Sequence, residues 1–302
     1  MASHILSLAD ISYADIINLL DSAVDLKEKR ARGKTSTLLK NKTLAMLFEK
    51  TSTRTRISFE VGMTELGGHA IFLNYRDVQL GRGESIADTG RVMSRYVSAI
   101  MARVYKHETL IELSKNSTVP IINGLSDIEH PCQLLADLLT IREYKGKLKD
   151  LNFAWIGDGN NVCNSAILAC ALTGMKMNVA CPEGYEPRED IIMKAKELGG
   201  KVNIMREPGK AAKNADVIST DVWVSMGDED EYDQRLHDFR PYQVNSKLLE
   251  QARHDVMVLH CLPAHRGEEI TADVVDGPHS AVFDQAENRL HVQKALLLKL
   301  LK

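Results

Sequence analysis

The chain has no basic excess: its 302 residues carry 38 Lys and Arg against 41 Asp and Glu, a formal net charge of −3. That balance argues against a general nucleic-acid binder, which needs a surplus of cations to displace counterions. No apolar run approaches the length of a membrane span, and the first residues, MASHILSLAD, lack the basic start and apolar core of a signal peptide. The five cysteines (Cys132, Cys163, Cys170, Cys181, Cys261) are odd in number and include no C-x-x-C pair. They argue against a zinc or disulfide framework and predict reduced thiols in a cytoplasmic protein. Internal repeats and low-complexity tracts are absent as well.

Two nucleotide-binding fingerprints are each short of a glycine. Gly33-Lys34-Thr35 resembles the end of a P-loop, but the leading position is Glu28 and no strand precedes it. Gly157-Asp158-Gly159-Asn160-Asn161-Val162 follows the apolar run Phe153–Ile156, as a dinucleotide site requires, yet its third glycine position is Val162. Glu183 mimics the ribose-binding acid, so a nicotinamide dehydrogenase is the rival reading, but the incomplete fingerprint disfavours it.

What is present is the composition of a globular enzyme, 44% apolar and 26% charged, in a chain long enough for two cores. Asp10 to Arg30 reads as an amphipathic helix with Ile11, Ile16, Leu19, Leu20, Val24 and Leu26 on one side. Strands are then expected at 43–48, 70–73, 98–103 and 119–122, and helices at 53–66, 86–96, 107–116 and 131–144. The polar stretch Lys145 to Asp150 marks a boundary. A second series has strands at 152–157, 177–181, 202–206, 216–220 and 256–260, with helices at 162–174, 188–198 and 246–252. Residues 221–243 read as a long acidic and aromatic loop. The last helix, about 285–301, is amphipathic. The expected fold is α/β: two Rossmann-like parallel-sheet domains, 1–146 and 147–302, with the active site in the cleft between them and the last helix packing back on the first domain.

The most informative stretch is Phe48 to Phe59, FEKTSTRTRISF. A buried-strand run, TLAMLF, leads into it and helical spacing follows, so Ser52, Thr53, Arg54 and Thr55 fall at a strand-to-helix junction. Free backbone N–H groups, three hydroxyls and a guanidinium at one helix start suit a phosphate dianion. The bland alternative is an ordinary N-cap with solvated arginines. Arg103 ends the run AIMAR and is expected at the carboxyl end of a strand. His130-Pro131-Cys132-Gln133 opens another helix, with Pro131 at the favoured first position; a lone His beside Pro is as often structural as catalytic. Asp221 follows a strand and has an alternative reading as a loop acid bonded to its own backbone. Cys261 ends another strand and has an alternative reading as a small buried hydrophobe. His260, His265 and Cys261 do not complete a metal set, since Pro263 breaks any helical face, so no metal and no cofactor are expected. Arg56 reads as paired with an acid; Cys163 and Cys170 read as core.

STRTR with FEK before it and ISFE after it resembles the carbamoyl-phosphate signature of the aspartate/ornithine carbamoyltransferase family. Arg103, His130 and Gln133 match that family's carbamoyl-phosphate ligands in type and order, and Arg289 in ENRLH matches a further arginine of the set. The Ser-Met-Gly segment within DVWVSMG (221–227) and the sequence HCLP (260–263) resemble the ornithine-using branch. Aspartate-using members carry a lysine in the loop around Gln79, whereas this chain has none between Lys50 and Lys106. The resemblance covers Phe48 to Arg289.

It implies transfer of the carbamoyl group of carbamoyl phosphate to the δ-amine of L-ornithine, a step of arginine biosynthesis and the urea cycle. Relatives that use putrescine or acetylornithine are the alternative. It further implies carbamoyl-phosphate contacts from Ser52, Thr53, Arg54, Thr55, Gln79, Arg103, His130, Gln133, Cys261, Leu262 and Arg289. Ornithine contacts are implied for Asn161, Asp221, Ser225 and Met226, and catalytic roles for Arg54, Arg103, His130 and Cys261. A cytoplasmic homotrimer is implied, with Gln79 donated across the subunit interface and no nucleic-acid or membrane partner.

Overall fold

The computed structural model describes residues 4–34, 36–224 and 229–302. Ser225 and Met226 lie outside the described residues. The chain divides into two compact units, one of residues 1–136 with 287–302, the other of residues 137–286.

In the first unit α1 (Tyr13–Ala31) precedes β1 (Thr43–Phe48), α2 (Thr53–Glu65), β2 (His69–Asn74), α3 (Ile86–Met93), β3 (Ala99–Arg103), α4 (His107–Asn116) and β4 (Ile121–Leu125). The helix α5 (Pro131–Lys145) begins in this unit and contains its boundary. All four strands are parallel in the order β2-β1-β3-β4. β1 is buried from Leu44 to Phe48, as a central strand covered on both faces must be. Gly67, at φ +79°, ends α2: a Cβ there would meet Thr37 Cα at 2.8 Å, so the turn into β2 requires glycine. The C-terminal stretch is tied to α1 and α2 by charge. Glu65 accepts from Lys294 Nζ at 2.6 Å and from Arg30 Nε at 2.7 Å.

The second unit runs β5 (Asn152–Ile156), α6 (Asn161–Thr173), β6 (Lys176–Ala180), α7 (Glu189–Glu197), β7 (Lys201–Met205), α8 (Pro208–Ala212), β8 (Val217–Thr220), α9 (Tyr232–Phe239), α10 (Ser246–Leu249), β9 (Met257–His260) and α11 (Ala272–Val275). The last helix, α12 (Val282–Leu301), contains the second boundary. This sheet is also wholly parallel, ordered β7-β6-β5-β8-β9. A core cluster including Ile156, Ile218, Trp223, Phe239 and Val258 is buried in it.

Strand expectations hold to within a residue or two except at β4, which ends at Leu125, three residues past the expected end; β1 agrees at both ends. Three expectations need correction. Residues 221–243 are not one long loop: α9 lies inside them, held by Phe239, whose ring sits 4.7 Å from that of Tyr185 and 6.1 Å from that of Trp223. The acidic composition masks those two anchors, Arg235 and Phe239, which are the buried residues of the helix. The last helix starts at Val282, three residues before the expected 285, so Arg289 lies well inside it. The short helices α8 and α11 were not expected; each offers too few residues for a periodic pattern.

Candidate active site

Each sheet has a point where the chain leaves in opposite directions from adjacent strands, and ligands in open parallel sheets bind beyond the strand ends there. In the first unit this point lies between β1 and β3, where Phe48 pairs with Arg103. The Ser52–Thr55 turn follows β1 directly. Ser52 caps α2, its Oγ accepting from the Thr55 N–H at 3.2 Å, so the N-cap reading is correct for this residue. Thr55 is buried, and its Oγ1 accepts from Arg289 Nη2 at 3.4 Å. Arg289 Nη1 donates to Gln133 Oε1 at 2.7 Å. Gln133 and His130 come from the start of α5, and Arg103, His130, Gln133 and Arg289 are all buried.

His130 reports the charge of this cluster. Burial first, then the fields of Arg289, Arg103 and Arg54, hold its imidazole well below the ordinary value of 6.5. Three guanidinium groups therefore act on one neutral ring, an environment that favours an anion. Gln79 stands exposed on a 3-10 turn, Gln79–Arg82, and is not bonded to this cluster. Arg56 is paired with Glu60 at 3.2 Å and lies 3.8 Å over the Phe72 ring.

The depressed His130 pKa has a consequence for stability. Below about pH 6.5 the unfolded chain takes up a proton that the native ring resists. Stability from this group is therefore complete above that pH and declines as pH falls toward the lower folded value, by up to about 1.4 kcal/mol per pH unit. Melting temperature is expected to fall more steeply from pH 7 to pH 5 for the wild type than for His130→Gln. Saturating phosphate is expected to narrow the gap, because an anion relieves the repulsion. Parallel profiles for the two proteins would remove this account of His130.

In the second unit the corresponding point lies between β5 and β8. Gly159 sits in the turn after β5 because a Cβ there would meet Pro187 N at 2.2 Å. Its glycine thus answers to the Glu186–Pro187 backbone, which removes the reason to read it as half of a pyrophosphate loop. Asn160 caps α6, its Oδ1 accepting from Val162 N–H at 2.9 Å and Cys163 N–H at 3.1 Å. Its Nδ2 donates to Asp221 Oδ2 at 2.9 Å. Asp221 Oδ1 accepts from its neighbour Val222 N–H at 2.9 Å and from the Cys261 thiol at 2.9 Å. The local-backbone reading of Asp221 is correct, and the same oxygen also takes the Cys261 thiol. Cys261 is half-buried, whereas Cys132, Cys163, Cys170 and Cys181 are buried.

Cys261 follows β9, whose His260 pairs with Thr220 of β8, so strand register brings Asp221 and Cys261 side by side. Leu262 takes a left-handed φ of 59° and precedes a cis peptide to Pro263. Asp221, His260 and Cys261 bring donor atoms within 4.8 Å of one another. Both imidazole nitrogens of His260 are engaged, however: Nδ1 with the Leu262 N–H and Nε2 with Glu269, each at 2.9 Å.

Sequence reasoning named Asn161 but missed its neighbour Asn160, the residue that bonds Asp221. It also missed Arg235, whose Nη1 donates to Asp158 Oδ2 at 3.0 Å and to the Trp223 carbonyl at 3.1 Å. This buried pair joins the turn after β5 to the segment after β8. Spacing carries no signal for it, since the partners are 77 residues apart.

Comparison with known proteins follows the same division. The family description "Aspartate/ornithine carbamoyltransferase, carbamoyl-P binding domain" matches residues 3–143, and "Aspartate/ornithine carbamoyltransferase, Asp/Orn binding domain" matches residues 149–300. An ornithine carbamoyltransferase of Archaeoglobus fulgidus is 60% identical over 298 residues, 99% of this chain and 97% of the relative. One from Methanosarcina mazei is 58% identical over 302 residues, the whole of both chains. The solved ornithine carbamoyltransferase of Pyrococcus furiosus has a TM-score of 0.95 at 54% identity, covering 99% of this chain and 97% of its own. That of Thermus thermophilus has a TM-score of 0.91 at 44% identity, covering 100% of both.

Proposed function

The chain belongs to the aspartate/ornithine carbamoyltransferase family, and from that membership we propose that it joins carbamoyl phosphate and L-ornithine to give L-citrulline and phosphate. It is a transferase of the ornithine-using kind. The carbamoyl-phosphate-binding domain is 1–146, completed by Arg289 from the last helix; the ornithine-binding domain is 147–302.

In this reading Ser52, Thr53, Arg54 and Thr55 hold the phosphate at the start of α2, where backbone N–H groups and the helix dipole favour an anion. Arg54, Arg103 and His130 stabilise charge growing on the carbonyl oxygen and on the departing phosphate. The low His130 pKa keeps this ring neutral, so it acts as a hydrogen-bond donor and adds no fourth positive charge. Arg289 braces Gln133 and Thr55 and reaches the same phosphate. The neutral δ-nitrogen attacks the carbonyl carbon, the carbon–oxygen bond to phosphate breaks, and the nitrogen loses a proton. Carbamoyl phosphate is already activated, so no covalent enzyme intermediate is needed and acceleration comes from positioning and fixed charge.

The acceptor is the harder part. A δ-amine with a pKa near lysine's, about 10.4, is neutral in roughly one molecule in a thousand near pH 7.4, a handicap of about 4 kcal/mol. Asp221 and Cys261 orient the amine and Asp221 receives its proton; Asn161, Ser225 and Met226 hold the amino-acid end, and Leu262 contacts the carbamoyl group. The observation that supports ornithine as acceptor is the Cys261 thiol donating to Asp221 Oδ1 at 2.9 Å from the neighbouring strand end. Phosphate release from carbamoyl phosphate with ornithine, putrescine, acetylornithine and aspartate in parallel is expected to favour ornithine. Faster turnover of any other acceptor would overturn the reading.

The working form is a cytoplasmic homotrimer serving arginine biosynthesis, with Gln79 supplied to a neighbouring subunit. The exposure of Gln79 in its own chain supports that assignment. No helix among the described residues is long and apolar enough to cross a membrane.

A further inference from the structure

His260 is wholly buried, and its ring has no direct part in the reaction proposed above. Its two nitrogens are nevertheless bonded in a defined sense. The Leu262 N–H donates to Nδ1 at 2.9 Å, which leaves that nitrogen unprotonated and places the ring proton on Nε2. Nε2 then donates to Glu269 Oε1, also at 2.9 Å. Glu269 is equally buried and is itself held: Oε1 accepts the His265 N–H at 2.6 Å, and its carbonyl accepts the Val244 N–H at 2.8 Å. The His260 backbone N–H donates to Gln285 Oε1 at 3.0 Å, and Gln285 Nε2 donates to Asp137 Oδ1 at 2.7 Å. Cys261 thus lies between two fixed backbone points, the His260 N–H held by Gln285 and the Leu262 N–H held by the His260 ring. The second point, Leu262, is in the left-handed region that a β-carbon disfavours, so something must hold it there.

We propose that His260, backed by Glu269, is a positioning residue for carbamoyl transfer: its Nδ1 clamps the Leu262 N–H and thereby aims the Cys261 thiol at Asp221. A buried His–Glu pair contributes little net stability compared with apolar residues of the same volume, so geometry is the stronger reason for its presence. A carboxylate behind one ring nitrogen sets the tautomer at the other, the logic that orients metal-ligating and catalytic histidines. This inference deepens the ornithine reading and rests on it.

His260→Gln has no acceptor where Nδ1 stood. Its kcat with ornithine is expected to fall on the order of 10²-fold, while the dissociation constant of inorganic phosphate stays within about twofold. His260→Asn places an amide oxygen close to the Nδ1 position and is expected to return kcat to within about tenfold of wild type. A merely structural loss would lower kcat and phosphate affinity together and would not favour Asn over Gln. Ring-nitrogen NMR of histidine-labelled wild-type protein reads the tautomer without any substitution, and His260 is expected to be protonated on Nε2 alone.

A proton on Nδ1 overturns the proposal however the variants behave. So do equal losses in both variants, or a His260→Gln kcat within about threefold of wild type. If the wild type released no phosphate from carbamoyl phosphate and ornithine, the function reading itself would fail. The alkylation rate of Cys261 by iodoacetamide would then judge the clamp alone, with a several-fold change expected in His260→Gln and an unchanged rate overturning it.

Discussion

Replacing Arg54 with alanine is expected to lower kcat/KM about 10³-fold, the largest single effect in the first unit. The guanidinium lies in the first turn of α2, where the helix start already favours negative charge. With Arg103 and Arg289 it depresses the His130 pKa, so all three charges bear on one buried ring. In the proposed reaction, charge-assisted bonds from such a fork bind the ground-state dianion, and they strengthen as charge moves onto the departing phosphate. Arg54→Lys keeps the charge but not the planar fork, and is expected to fall between the two.

Steady-state kinetics with calorimetric titration of carbamoyl phosphate separates the binding loss from the rate loss. A reduction in kcat/KM below about tenfold would end the assignment of Arg54 as a phosphate and transition-state ligand. The same variant tests the shared site. Mixed with Gln79→Ala subunits and allowed to exchange, it is expected to recover activity that neither parent has, and no recovery after confirmed exchange would remove the role of Gln79 across an interface.

Asp221→Asn is the second large effect, an expected loss in kcat of about 10² to 10³-fold with inorganic phosphate binding unchanged. Asparagine keeps one oxygen to accept the Val222 N–H and the Cys261 thiol, while its amide NH2 replaces the Oδ2 that accepts from Asn160 Nδ2. It also removes the negative charge that, in the proposed reaction, steadies an ammonium group and accepts its proton. Wild-type kcat is expected to rise with pH through the neutral range. In the variant that rise is expected to move toward the free amine's own pKa, about 10.4. A flat wild-type profile between about pH 6 and 9 would count against proton removal from the amine as the obstacle. An Asn variant with wild-type rate and profile would reduce Asp221 to a structural acid.

The two residues differ in how readily a sequence reader finds them. Arg54 belongs to a contiguous segment in which an apolar run, a cap and a polar cluster follow one another, and β1 and α2 form where those local signals place them. Asp221 is legible only as a polar residue after a strand, and its worth depends on what faces it. Its partners are Asn160 and Cys261, 61 and 40 residues away in sequence. His260 and Glu269 are less legible still: the first stands in the HCLP signature with no sign of what its ring meets, and the second belongs to no pattern. A buried acid in a polar stretch such as HRGEEIT looks like any solvated one.

The chain's own residues determined the alternation of strand and helix, the polar strand-to-helix turn at 52–55 and the family, because each rests on neighbours in sequence or on motifs kept in order. Tertiary structure alone decided that Arg289 meets Thr55 and Gln133, 234 and 156 residues away. It also decided that α9 forms within an apparent loop and that an imidazole holds the backbone beside Cys261. Those contacts depend on strand order and on which side chains the packing buries, and a one-dimensional pattern carries neither.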